Sequence, residues 1–157
     1  MRFLATLLFC SPLAAQTFEI VPSTASRGEA GSLQVKWISP AGKEPVALQW
    51  KINLGVAVTA AAEDIVAGDA ATMADKAVTC AAVTKPVQDN VTFNCILAGG
   101  QKQIANGTIF LVKYKVKPKV TPQTRVVRVS DGIAVLDHSK QLQKMDIPTA
   151  EGAITIR

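Results

Sequence analysis

Asp137-His138-Ser139 unites the three residue types of a hydrolytic relay, but in consecutive positions. Neighbouring side chains on one chain segment diverge. They cannot form the serial hydrogen bonds that a nucleophile, a base and its orienting acid require. His138 is therefore expected to be a solvated turn residue. Glu63 and Asp64 fail as a glycosidase pair for a related reason, since that chemistry needs two carboxyl groups facing each other across a cleft. A single histidine excludes a multi-histidine metal centre. Asp69, Asp75, Asp89 and Asp131 lie near turns and could offer oxygen ligands, but they lack the spacing of a calcium-binding loop. Nucleophile-elbow, phosphate-loop and zinc-ligand spacings are absent from the sequence. No catalytic residue, metal or cofactor is assigned, and the chain is expected not to be an enzyme.

The remaining chemistry belongs to cysteines and lysines. Cys80 and Cys95 each sit in a strand-like run, with a turn-rich stretch between them. In an oxidising compartment they are expected to form one disulfide joining two strands of a hairpin. Two buried free thiols are the alternative. Lys113, Lys115, Lys117 and Lys119 form a regular row, followed by Arg125 and Arg128. Such a row could meet phosphates, but few aromatic side chains are available to stack on bases. A solvated strand face is the expectation, with no nucleic-acid partner. An acidic protein or an anionic surface polymer stays open. Asn90-Val91-Thr92 and Asn106-Gly107-Thr108 fit the N-glycosylation pattern.

The first residues form an address. In Met1–Ala15, Arg2 gives a positive start, Phe3 to Cys10 an apolar run, and Leu13-Ala14-Ala15 a small-residue cleavage site. The run is shorter than the roughly 20 residues that span a bilayer. Residues 1–15 are expected to be a signal peptide, leaving 16–157 as one secreted or periplasmic domain. A lipoprotein signal is the competitor because of Cys10, although Phe9 rather than a small residue precedes it. The chain has 157 residues, 48% hydrophobic and 18% charged, with a formal net charge of +5. These values exclude a disordered tail or a polytopic membrane protein. No later stretch is long and apolar enough to suggest a membrane span.

The elements that must carry these residues are mostly strands, because the recurring period is two. Leu33, Val35 and Trp37 alternate with polar residues, as do Leu48, Trp50, Ile52 and Leu54. Phe110, Val112, Tyr114 and Val116 share one phase, and Lys113, Lys115 and Lys117 the other. Val127 and Val129 form another run, and Ile154 and Ile156 close the chain. Gly-, Pro- and Asn-rich breaks separate the runs, one of them at Asp137 to Lys140. This pattern predicts an all-β antiparallel sandwich or barrel. The alanine-rich stretch Ala57 to Lys76 is the exception, suited to one or two short helical turns and a brief strand near Asp64 to Val66.

The order of these motifs resembles the cohesin-like modules, relatives of bacterial carbohydrate-binding modules. Arg27-Gly28-Glu29-Ala30-Gly31-Ser32-Leu33-Gln34-Val35 is similar to the family's early "PGD…V.I.V" strand entry. Val46 to Leu54 resembles its following alternating strand. Asn106 to Lys117 is similar to its "DGVFATIVAKVK" strand, and Glu151-Gly152-Ala153-Ile154-Thr155-Ile156 to its closing glycine and strand. The resemblance runs from about Phe18 to Arg157. It implies a jelly-roll-like antiparallel β-sandwich of about nine strands. The Cys80–Cys95 pair is not a general feature of cellulosomal cohesins.

The resemblance also implies a secreted, non-enzymatic module that binds another secreted or surface protein, possibly dockerin-like in kind, at or outside the cell surface. The family's polar contact positions fall on Ala47 and Gln49. Gln49 retains a hydrogen-bonding side chain and Ala47 does not. The candidate binding face is Gln49, Lys51 and Asn53 with Lys113 and Lys115. The alternative is a polysaccharide-binding module. Such modules often present exposed aromatic rings, whereas Trp37, Trp50, Phe110 and Tyr114 all lie on the apolar phase and are expected in the core. A third reading is an assembly subunit that pairs a sheet edge with a copy of itself.

Overall fold

The computed structural model describes residues 15–83, 90–138 and 141–157. Most of the expected signal peptide, the turn at 84–89 with Asp89, and Ser139-Lys140 lie outside the described residues. Twelve strands form among those described: β1 (Thr17–Val21), β2 (Ser23–Ala25), β3 (Ala30–Ile38), β4 (Ala47–Asn53), β5 (Val58–Thr59), β6 (Ile65–Ala67), β7 (Ala77–Ala82), β8 (Thr92–Ala98), β9 (Gly107–Val116), β10 (Gln123–His138), β11 (Gln141–Ile147) and β12 (Ala150–Ile156). A 3-10 turn (Ala62–Asp64) and helix α1 (Asp69–Met73) complete the set, in the alanine-rich stretch.

The strands form a sandwich. One sheet has five strands, in the order β1-β3-β9-β5 with β6 also on β9. The other has seven, in the order β2-β12-β10-β4-β8-β7 with β11 also on β10. Pairing is antiparallel except between β2 and β12. The expected runs become β3, β4, β9, the first half of β10, and β12. The count exceeds the expected nine because short pieces such as β2 and β5, of three and two residues, take part, while β6 is the brief strand expected near Asp64 to Val66. These pieces are too short to show a period.

Burial follows the alternation. Val35, Trp37, Leu48, Trp50, Ile52, Phe110, Val112 and Tyr114 are all buried. The two sheets meet through an aromatic cluster. Trp50 of one stacks on Phe110 of the other with ring centroids 4.6 Å apart. Phe18 meets Trp37 edge-on at 5.4 Å. Neither buried indole N–H has a protein acceptor. Such a loss costs about 1–3 kcal/mol. Burying roughly 150–250 Å² of ring stabilises by about 4–6 kcal/mol, so packing wins.

Two departures from strict alternation have local causes. Ile109 and Phe110 are both buried: Phe110 stacks on Trp50 in the core, while Ile109, on the opposite phase, lies where α1 packs on β9. The β3–β9 register slips beside them, between Val35 and Lys36. Gly68 seats that helix: its N–H donates to the Ile109 carbonyl at 2.9 Å, and a Cβ at Gly68 would lie 2.5 Å from the Thr108 carbonyl oxygen. The second departure is β10, which continues through the expected break at Asp137-His138. Its register against β4 shifts between Ser130 and Ile133, and Asp131 takes a left-handed φ of 52°. Past this bulge β10 pairs with β11 instead of β12.

Candidate functional site

β4 lies inside the seven-stranded sheet, between β10 and β8. Its even-numbered residues Leu48, Trp50 and Ile52 enter the core, so Gln49, Lys51 and Asn53 point outward. Directly opposed residues on neighbouring strands share a face. The register therefore builds one row of Ser130, Lys51, Asn94 and Ala81, and another of Ile133, Gln49, Ile96 and Thr79. Arg128, Asn53 and Thr92 form a third.

The side chains of this face are unequal. Lys51 donates to Asp131 at 2.5 Å, the carboxylate being brought over the strand by the β10 bulge. Arg128 donates to Glu151 at 2.6 Å. The Asn53 amide oxygen accepts the Gly55 N–H at 2.8 Å and is committed to the turn after β4. Gln49 is left exposed beside Ile96, which keeps 45% of its surface in solvent. Gln49, Thr79, Ala81, Asn94 and Ile96 border a shallow depression of about 240 Å³. A flat surface mixing amides, a paired lysine, small residues and one exposed isoleucine suits contact with a protein. Asn94, Ile96 and Thr79 escaped the sequence reading. For Asn94 and Ile96 the signal was the outward phase of Thr92–Ala98, complementary to buried Phe93, Cys95 and Leu97, and Thr79 stands directly opposite Ile96 on β7.

Lys113 and Lys115 do not join this face. They project from β9, central in the other sheet, on the opposite side of the sandwich. The five-residue candidate face is thus divided: an alternating pattern shows which residues point outward but not which sheet carries them. Lys113 and Lys115 border a recess of about 480 Å³ with Thr59 and Asp64. Among the described residues neither has a carboxylate within 4.0 Å.

The other singled-out residues take structural places. Cys80 and Cys95 stand directly opposite on β7 and β8 and are joined by a disulfide, with Cα atoms 4.1 Å apart. The Asp64 carboxylate accepts the Ala61 N–H at 2.8 Å, closing the 3-10 turn rather than facing a second acid. Asp75 pairs with Lys102 at 2.6 Å. Among the described residues no group of three or more His, Cys, Asp and Glu could hold a metal ion. Asn106 is engaged with the Ser39 backbone: its Oδ1 accepts the Ser39 N–H at 2.7 Å and its Nδ2 donates to the Ser39 carbonyl at 3.0 Å. A larger, mostly apolar recess of about 720 Å³ is lined by Gln16, Pro40, Leu136, Met145 and Pro148 among others. It contains none of the singled-out residues.

No protein-family model and no curated protein sequence matches this chain. Solved structures do match. The sixth cohesin of scaffoldin B from Acetivibrio cellulolyticus, in complex with a mutant Cel5 dockerin, superposes with a TM-score of 0.71 at 9% identity. The match covers 92% of this chain and 100% of that one. The fold is that of a cohesin module. A cohesin from a type I cohesin–dockerin complex of Clostridium thermocellum has a TM-score of 0.70 at 11% identity, covering 90% and 93%. A non-cellulosomal cohesin from the archaeon Archaeoglobus fulgidus has a TM-score of 0.64 at 12% identity, covering 92% of each chain. The cohesin-like β-sandwich implied by the motif order is therefore the observed fold.

Proposed function

We propose that this cohesin-like domain is an exported, non-catalytic binding module. Its partner is a dockerin-like protein held against the outer face of the seven-stranded sheet, around Gln49, Lys51, Asn94 and Ile96. The observation carrying this reading is the match to dockerin-bound cohesins over nearly the whole chain. The composition of the β10-β4-β8-β7 face supports it. Burial of Trp37 and Trp50 at 0% and 1% exposure weighs against the polysaccharide reading, since neither ring can form a sugar-stacking platform.

The test is a binding screen of the purified domain against dockerins from the source organism, beside a panel of insoluble polysaccharides. Saturable binding to a dockerin is expected, with no retention on the polysaccharides. Lys51→Glu should weaken dockerin binding at least about tenfold, the effect of an unfavourable charge at an interface. Lys113→Glu, on the opposite sheet, should leave it unchanged. Lys113→Glu, at an exposed site without an ion pair among the described residues, alters fold stability by only about 0.5 kcal/mol, and because Lys51→Glu sets a second carboxylate beside Asp131, its folding is checked by thermal denaturation. Absence of binding to every dockerin, or loss through Lys113→Glu alone, would reject the assignment.

A further inference from the structure

One end of the sandwich gathers two connections that cross between the sheets. Residues 26–29 lead from β2 to β3, and residues 117–122 lead from β9 to β10. Backbone hydrogen bonds tie them together there. The Gly28 N–H donates to the Val116 carbonyl at 3.1 Å, the Val116 N–H to the Glu29 carbonyl at 2.9 Å, and the Lys117 N–H to the Ala57 carbonyl at 3.0 Å.

These connections and the strand ends beside them carry five cations: Arg27, Lys115, Lys117, Lys119 and Arg125. All but half-buried Lys117 are exposed. Among the described residues none has a carboxylate within 4.0 Å. Within 26–30 and 115–125 the one acidic residue is Glu29. Five cations against one acid give +4, most of the +5 of the whole chain. Asp64, which shares a recess with Lys115, is engaged by the Ala61 N–H. The opposite end mixes signs: Glu44 follows Lys43, and Lys102 is paired with Asp75.

The cluster spans the thickness of the sandwich. Lys115 belongs to the five-stranded sheet and Arg125 to the seven-stranded one, while Arg27, Lys117 and Lys119 lie on the crossings. Packed sheets lie about 10 Å apart, so the charges spread over an area rather than along one row. These segments carry no aromatic residue and none of the exposed large apolar side chains. Val126, the next residue along, points to the outer face of the seven-stranded sheet, since Val127 is buried. A protein interface gains from an apolar centre, and single-stranded nucleic acid from stacking rings. A broad cationic patch with neither fits a layer of anionic headgroups, which attracts Lys and Arg without insertion. We infer that this end of the sandwich docks on an anionic lipid surface through these five cations. The strands then meet the surface end-on, and the outer face of the seven-stranded sheet stands free beside it. This inference does not depend on what that face binds.

Vesicle co-sedimentation of residues 16–157 tests it. That piece holds every described strand and omits the apolar run from Phe3 to Cys10, which would itself seek a bilayer. Binding is expected to vesicles of phosphatidylcholine mixed with phosphatidylglycerol, with none to phosphatidylcholine alone, and added salt should reverse it. Lys119→Glu combined with Arg125→Glu should weaken binding at least about tenfold. Lys43→Glu combined with Lys144→Glu makes the same change in net charge toward the opposite end and should cost less than about twofold, its charges being screened from the surface. Thermal denaturation checks that both variants fold. Arg27→Gln combined with Lys119→Gln, which only removes charge, should give a smaller loss in the same direction as the first pair. Failure to bind the mixed vesicles, equal losses from the two charge reversals, or displacement by duplex DNA at a phosphate concentration below that of the vesicle lipid would overturn the inference.

Discussion

Lys76 is buried, with 5% of its surface exposed, and its ammonium donates to the carbonyls of Gly99 and Gly100. It ties the chain after α1 to the loop leaving β8. Burial lowers its pKa below 10.5, and the adjacent Asp75 carboxylate opposes that shift. Between the lowered value and 10.5 the unfolded chain binds more protons than the folded one, so stability rises with pH across that window. Lys76→Met should destabilise by about 1–3 kcal/mol, because two carbonyls lose a charged donor. The stability gap between wild type and variant should widen from neutral pH toward 10.5. Denaturant titrations at a series of pH values measure this, and a constant gap would refute it. Nothing in the sequence marked Lys76, since a lysine after Asp75 reads as solvated. Gln49 and Lys51 were legible as outward residues, but the Lys51–Asp131 pair was not: it depends on a bulge in a strand far along the chain.

At the scale of elements, β7 depends on β8 alone for its ladder. Its side chains add little, because only Val78 and Cys80 are even partly buried. The disulfide, closing a separation of 15 residues, therefore carries much of its attachment. Replacing both Cys80 and Cys95 by serine should cost about 3 kcal/mol by the loop-entropy estimate. Thermal unfolding checks the magnitude, and hydrogen exchange should show the Thr79 and Ala81 amides losing protection before those of β4. Equal protection in the variant would show that the ladder suffices. The cysteine hairpin could be read from two flanking strand-like runs and the turn residues between them. β11 could not, because Gln141–Ile147 is largely polar and exposed, with no apolar phase. It exists because β10 bends past Asp131 and offers it an edge.

The whole molecule carries the question of export. β1 opens at Thr17, so cleavage after Ala15 would fall ahead of the first described strand. Buried Gln16, whose Nε2 donates to the Lys43 carbonyl, would become the first residue of the mature chain. Mass spectrometry of protein recovered outside the cytoplasm is expected to show a chain beginning near Gln16. A mature protein that retains Met1 would contradict this. Among the described residues no helix is long and apolar enough to cross a membrane. The match to cohesins at 9–12% identity shows how little side-chain identity this architecture needs. It needs strands of the right length in the right order, each with one apolar face.

Those strands were determined by the sequence itself. A side chain's direction along a strand alternates by geometry, so apolar residues at every second position declare both the element and its buried face. Trp37, Trp50, Phe110 and Tyr114 were placed in the core on that basis, and each is there. Only the tertiary structure decided which outward faces lie together. β4 and β9 show the same alternation, yet one enters the seven-stranded sheet and the other the five-stranded sheet. Lys51 and Lys113 consequently lie on opposite sides of the molecule. The physical reason is that sheet membership rests on hydrogen-bond partners far apart in the chain, whereas the local period records only which face avoids water.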